Sequence, residues 1–103
     1  MSPGEVWLAD LGIAAKTRPV VVVSRADGNP PRQIVIVVPL TSQIRASSYE
    51  AELGEAPFLR EVSVANAQGI LSIPKVRLLK KLGQLEPKKL EEVKKSLRFA
   101  MDL

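Results

Sequence analysis

Two runs of branched aliphatic residues dominate the pattern of this chain: Val20-Val21-Val22-Val23, and the stretch from Gln33 through Val35, Ile36 and Val37 to Val38. Valine and isoleucine are stiff at χ1, which favours strand over helix. The four valines have no polar alternation, so their strand, roughly residues 19–24, is expected to be covered on both faces. Between the runs lies Asp27-Gly28-Asn29-Pro30-Pro31, dense turn chemistry that makes residues 25–32 a connection. The two runs therefore predict neighbouring central strands of an antiparallel sheet.

The remaining pattern supplies shorter elements. Glu5-Val6-Trp7-Leu8-Ala9 reads as a first strand, followed by a loop from Asp10 through Ile13-Ala14-Ala15 to Thr17. Tyr49, Ala51 and Leu53 alternate with Ser48, Glu50 and Glu52, the period of a half-buried strand. Residues 61–73 read as one longer extended stretch, with Gly69 marking a bulge or bend. Pro74 ends it, Lys75-Val76-Arg77-Leu78 is a candidate single helical turn, and residues 79–85 form a short final strand. Pro87 then suits the first position of a helix, with Glu86 at the positive end of its dipole. Leu90, Val93, Leu97, Ala100 and Met101 fall on one face of that helix, and Glu91 and Lys95 form an i,i+4 pair. The expectation is a mainly β fold over residues 1–103 as one domain. It comprises five to seven short antiparallel strands in a small barrel, with a C-terminal α-helix.

Composition changes this picture mostly by exclusion. The chain contains neither cysteine nor histidine, which removes disulfides, thiolate and histidine metal sites, and a histidine acid–base pair. The carboxylates are scattered without metal-ligand spacing, so no metal or other cofactor is expected. A net charge of +4 leans towards a polyanionic partner, although solubility alone accounts for it equally well. Met1-Ser2-Pro3-Gly4-Glu5 is not patterned as a signal peptide, and no run approaches the ~20 apolar residues of a membrane span. No membrane association is expected, and the cytoplasm is the expected location.

Candidate chemistry gathers at one end of the two central strands. If they pair antiparallel, Arg18 at the start of the first lies beside Thr41 and Ser42 at the end of the second. A planar cation beside hydroxyls suits a phosphate, which arginine grips bidentately. The alternative for Arg18 is a solvated surface cation.

The blocks Gly4-Glu5-Val6-Trp7-Leu8-Ala9-Asp10-Leu11-Gly12, Arg18-Pro19-Val20-Val21-Val22-Val23-Ser24, Val37-Val38-Pro39-Leu40-Thr41-Ser42 and Lys80-Lys81-Leu82-Gly83-Gln84-Leu85 occur in that order. Together they make the chain resemble the MazF/PemK-like toxins of bacterial toxin–antitoxin systems. That resemblance implies a small SH3-like barrel of the MazF/CcdB type and a homodimer. It also implies a cognate antitoxin and metal-independent, sequence-specific cleavage of single-stranded RNA such as mRNA. Attack by a 2′-hydroxyl would leave a cyclic phosphate and a 5′-hydroxyl. The family's arginine falls on Arg18 and its threonine on Thr41, with Ser42 in support; the proton acceptor is left open. Lys16, Thr17 and Arg45 are the implied RNA contacts on loops rimming the groove, Arg45 being equally well a solvated loop charge. Asn66 and Gln68 are suited to reading base edges, or else are satisfied polar groups of the barrel.

One block departs from the family. Several members carry an acidic residue and an arginine in a block like Asp-Gln-Ile-Arg, where this chain has Gln68-Gly69-Ile70-Leu71. Both charges are missing, which puts an acidic helper in doubt, implies a different base preference and leaves room for a non-catalytic binding module. A topoisomerase-poisoning toxin of similar fold belongs to that second class.

Overall fold

The backbone hydrogen bonds of the second valine run organise the sheet, because this strand changes partner halfway along. A computed structural model describes residues 1–12 and 16–103; Ile13-Ala14-Ala15, assigned to the first loop, lie outside the described residues. The strands are β1 (Glu5–Asp10), β2 (Thr17–Val22), β3 (Ile34–Thr41), β4 (Glu50–Gly54), β5 (Ser63–Asn66), β6 (Leu71–Pro74) and β7 (Leu78–Gln84), followed by helix α1 (Pro87–Met101). Their order is β4-β5-β3-β2-β1-β7, with β6 also bonded to β3. β4 and β7 end that order without pairing, so the sheet is barrel-like but not closed.

On one edge β3 pairs antiparallel with β2, with Val20, Val21 and Val22 opposite Pro39, Val38 and Val37. On the other edge it pairs with β6 over Ile34–Val37 and with β5 only at Leu40 and Thr41. Pro39 sits at this change of partner. Val23 N–H donates to Ile36 O at 2.9 Å, so by antiparallel alternation the Pro39 nitrogen faces away from β2. A residue without an N–H loses nothing where β6 has ended and β5 has not begun.

The same change of partner corrects the single extended stretch expected over residues 61–73. It is two strands separated by a 3-10 turn, Ala67–Gly69. Asn66 stops β5, because its Oδ1 accepts the Gln68 N–H at 3.1 Å and caps the turn. Gly69 lies against Pro39, where an added Cβ would come within 2.7 Å of the proline ring. The bend expected at Gly69 is therefore a seam between two pairings.

β2 begins at Thr17, two residues earlier than its apolar run, because Thr17 and Arg18 pair with Asp10 and Ala9 of β1. Val20, Val21 and Val22 are fully buried, as expected of a strand covered on both faces. Val21 and Val38 join Leu53, Val93 and Leu97 in a core under α1. Val20, Val22 and Val37 join Ile73 and Leu78 in a second core on the opposite face. Each fully buried valine contributes about 1.5–3 kcal/mol of burial free energy.

Helix α1 starts at Pro87 with Glu86 preceding it, and the turn Lys75–Arg77 forms as read. Two details differ. Met101 is largely exposed, because α1 ends there in a left-handed Asp102 beyond the packed face. Glu91 meets Lys94 at 3.8 Å, one residue short of the expected Lys95. No described helix is long and apolar enough to cross a membrane.

Gly83 of β7 faces the ring of Phe58, and a Cβ there would overlap Phe58 Cγ within 2.5 Å. Phe58 packs against the core under α1, so Gly83→Ala must displace it. A loss of about 1–3 kcal/mol is expected, read as a lower denaturant midpoint at unchanged slope.

In β1, burial of Glu5 opposes its charge, but other interactions prevail. These are hydrogen bonds from Trp7 Nε1 (2.9 Å) and Ser2 N–H (3.0 Å) and the positive charges of Lys81 and the amino terminus. They hold its carboxyl below the usual value of 4.5. A lowered folded-state value means stability present above pH 4.5 and lost as pH falls through the folded value. Glu5→Gln should flatten that acid limb in urea midpoints measured across pH 2.5–6, on the order of the carboxylate range.

Candidate functional site

Arg18 and Thr41 line the same cleft because the β2–β3 pairing brings the start of one strand to the end of the other. The β2–β3 ladder ends at Val20 opposite Pro39, and Arg18 and Thr41 each lie two residues beyond that last pair. Both line a cleft of about 500 Å³ between the ends of β2 and β3, the 42–49 segment, the start of β4 and the turn after β5. The antiparallel juxtaposition expected from the sequence is thus present. Thr41 Oγ1 accepts the Gln43 N–H at 3.1 Å, which leaves its own O–H available to donate into the cleft.

Other candidates divide between two faces. Arg45, Asn66 and Gln68 line the same cleft as Arg18 and Thr41. Asn66 has a mixed role: its Oδ1 is committed to capping the turn, while its amide N–H groups retain their donor capacity. Ser42 does not share this cleft. Just beyond the end of β3, Ser42 lines a second cleft of about 870 Å³ with Thr17 and Pro19. Arg18 and Thr41 lie on the rim common to both clefts.

Thr17, expected on a loop, is the first residue of β2. Lys16 lines neither of these two clefts; it is exposed, with left-handed backbone at φ 56°. It closes the preceding loop: Leu11 N–H donates to Lys16 O, and Lys16 N–H to Gly12 O, both at 3.1 Å.

The clefts also contain groups that sequence reasoning did not single out. The first has Gln43, Tyr49 and Glu50, and the second has Phe58, Arg60 and Lys80. The Glu50 carboxylate lies under the 42–49 segment, its Oε1 accepting the Arg45 N–H at 2.9 Å. The polar half of the Tyr49–Leu53 alternation was its only signal in the sequence. Among the described residues no three acidic side chains are grouped to hold a metal ion. The first cleft opposes the guanidinium groups of Arg18 and Arg45 to one carboxylate, so its balance favours an anion.

The barrel-like antiparallel sheet with its C-terminal helix is a fold of the MazF type. The chain belongs to the family described as PemK-like, MazF-like toxin of type II toxin–antitoxin system, whose sequence model matches residues 2–101. It is 33% identical to the probable endoribonuclease MazF5 of Mycobacterium tuberculosis, over 96% of this chain and 91% of that protein. It is 31% identical to the endoribonuclease MazF of Staphylococcus saprophyticus, over 100% of this chain and 92% of that one. Its structure is similar to that of an endoribonuclease in complex with its cognate antitoxin from a mycobacterial species. There the TM-score is 0.87, with 26% identity and coverage of 100% of this chain and 96% of the other.

Proposed function

We propose that this protein is the toxin of a type II toxin–antitoxin pair and cleaves single-stranded RNA, with all 103 residues acting as one domain. The observation that supports it most is the shared cleft of Arg18 and Thr41, in a chain whose relatives are endoribonucleases. The Arg18 guanidinium binds the scissile phosphate and stabilises the charge that builds on its oxygens. The Thr41 hydroxyl donates to the same phosphate or orients the 2′-hydroxyl that attacks it. The products are a cyclic phosphate and a 5′-hydroxyl. Ser42 and Thr17 contact the strand on the second face, while Arg45, Asn66 and Gln68 contact it in the first cleft. Lys16 acts at long range as a surface charge. The protein works in the cytoplasm as a homodimer, and its cognate antitoxin occupies the same surface when it neutralises the toxin.

A second reading draws on Gln68-Gly69-Ile70-Leu71, which lacks the acidic residue and arginine of related toxins. On it the barrel binds nucleic acid or a protein without cutting.

Mapping the 5′ ends of RNA incubated with purified protein separates the two. Discrete cuts bearing 5′-hydroxyls support the enzyme; retention of intact RNA supports the binding module. Arg18→Ala should slow cleavage on the order of 10²–10³-fold, as expected for losing one preorganised charge-stabilising donor. Cleavage by this variant at the wild-type rate would refute the assignment. RNA affinity should fall with salt, and Arg45→Ala should reduce the log–log slope by about 0.7 if that guanidinium neutralises one phosphate.

A further inference from the structure

Attack by a 2′-hydroxyl requires a group to take its proton, and this chain contains no histidine. The lining of the Arg18–Thr41 cleft offers arginines, amides, hydroxyls, a phenol and a single carboxylate, Glu50. Arginine stays protonated, and hydroxyls and the phenol are poor acceptors at neutral pH. We propose that Glu50 is the catalytic proton acceptor of this site, a role that rests on the endoribonuclease reading above.

The geometry of β4 and β5 supports this. Glu50 is directly opposite Asn66 in the β4–β5 ladder, so the two side chains emerge on the same face, and both line the cleft. Its Oε1 is anchored by the Arg45 N–H, while Oε2 accepts no hydrogen bond among the described residues. Glu61, the carboxylate of the second cleft, does not line the cleft in which Arg18 and Thr41 stand with Arg45 and Asn66. Arg18 and Thr41 share the parity of Val20 and Pro39, and Pro39 lines the first cleft. Arg18 and Thr41 also line the second cleft, with Thr17, Pro19 and Ser42. A negative charge in this cleft repels RNA phosphates, and a proton transfer gives it a use.

In the step, the 2′-oxygen bonds to phosphorus as its proton passes to Glu50, and the bond from phosphorus to the 5′-oxygen breaks. The departing 5′-oxygen takes a proton from water in the open cleft, and Glu50 releases its own to solvent. The charged and titratable groups around Glu50 are Arg18 on β2 and Arg45 and Tyr49 before β4. On its other side are Glu52 of β4 and Lys88, Lys89 and Glu92 of α1.

The test is single-turnover cleavage of a mapped RNA oligonucleotide across pH by wild type, Glu50→Gln, Glu50→Asp and Glu61→Gln. Glutamine can still accept the Arg45 N–H, so it preserves the loop anchor while removing the base. The expected result is a loss of on the order of 10²–10⁴-fold for Glu50→Gln, with the acid limb of the wild-type pH profile abolished and the cut site unchanged. Glu50→Asp should recover part of the rate with its acid limb intact, and Glu61→Gln should match wild type. Wild-type cleavage accompanied by full activity of Glu50→Gln, or by an unchanged acid limb, overturns the role of Glu50 alone. So does a shifted cut site at undiminished rate, which would make Glu50 a reader of base edges. A wild-type protein that cuts no RNA overturns the endoribonuclease reading and this role together.

Discussion

The register between β2 and β3 is the constraint on which the remaining structure depends. Its three pairs place Val21 and Val38 in one core and Val20, Val22 and Val37 in the other. Because side chains alternate along a strand, a slip of one residue would turn both sets over. It would also separate Arg18 from Thr41. Two aliphatic cores therefore set where the polar pair stands at the strand ends. A site built this way is as rigid as the sheet, which is what positioning a phosphate requires.

The partner change at Pro39 is the second determinant. It splits the far edge of β3 between β6 and β5, and the 3-10 turn after β5 lies over the gap. That turn brings Asn66 and Gln68 to the cleft, and the β4–β5 ladder brings Glu50 with them. Where Gln68–Leu71 carries no charge, the cleft has a carboxylate in Glu50, contributed by a neighbouring strand. The site draws on residues that are distant along the chain and are joined only through pairing with β3.

Much of this was legible beforehand wherever stereochemistry is local. The valine runs became β2 and β3, the Tyr49–Leu53 alternation became β4, and Pro87 began the helix. The Arg18–Thr41 pair was legible because an antiparallel connection brings the start of one strand to the end of the next. Ser42 stands with Arg18 and Thr41 in the second cleft but not in the first, a division the sequence did not show. Thr17 was read as loop because its strand character comes from pairing with Asp10, not from its side chain. Met101 belongs to the helical period but lies past the surface it would cover.

The sequence by itself determined the element types, the doubly covered β2, the absence of histidine and thiol chemistry, and the arginine–threonine pair. These follow from χ1 stiffness, side-chain period and residue inventory, all local properties. Only the tertiary structure decided that residues 61–73 divide into two strands, that Arg18 and Thr41 stand between two clefts, and that Glu50 shares one of them. Those outcomes depend on which neighbour each backbone N–H and C=O finds. That choice is settled by the competing edges of β3 and is encoded in no single stretch of the chain.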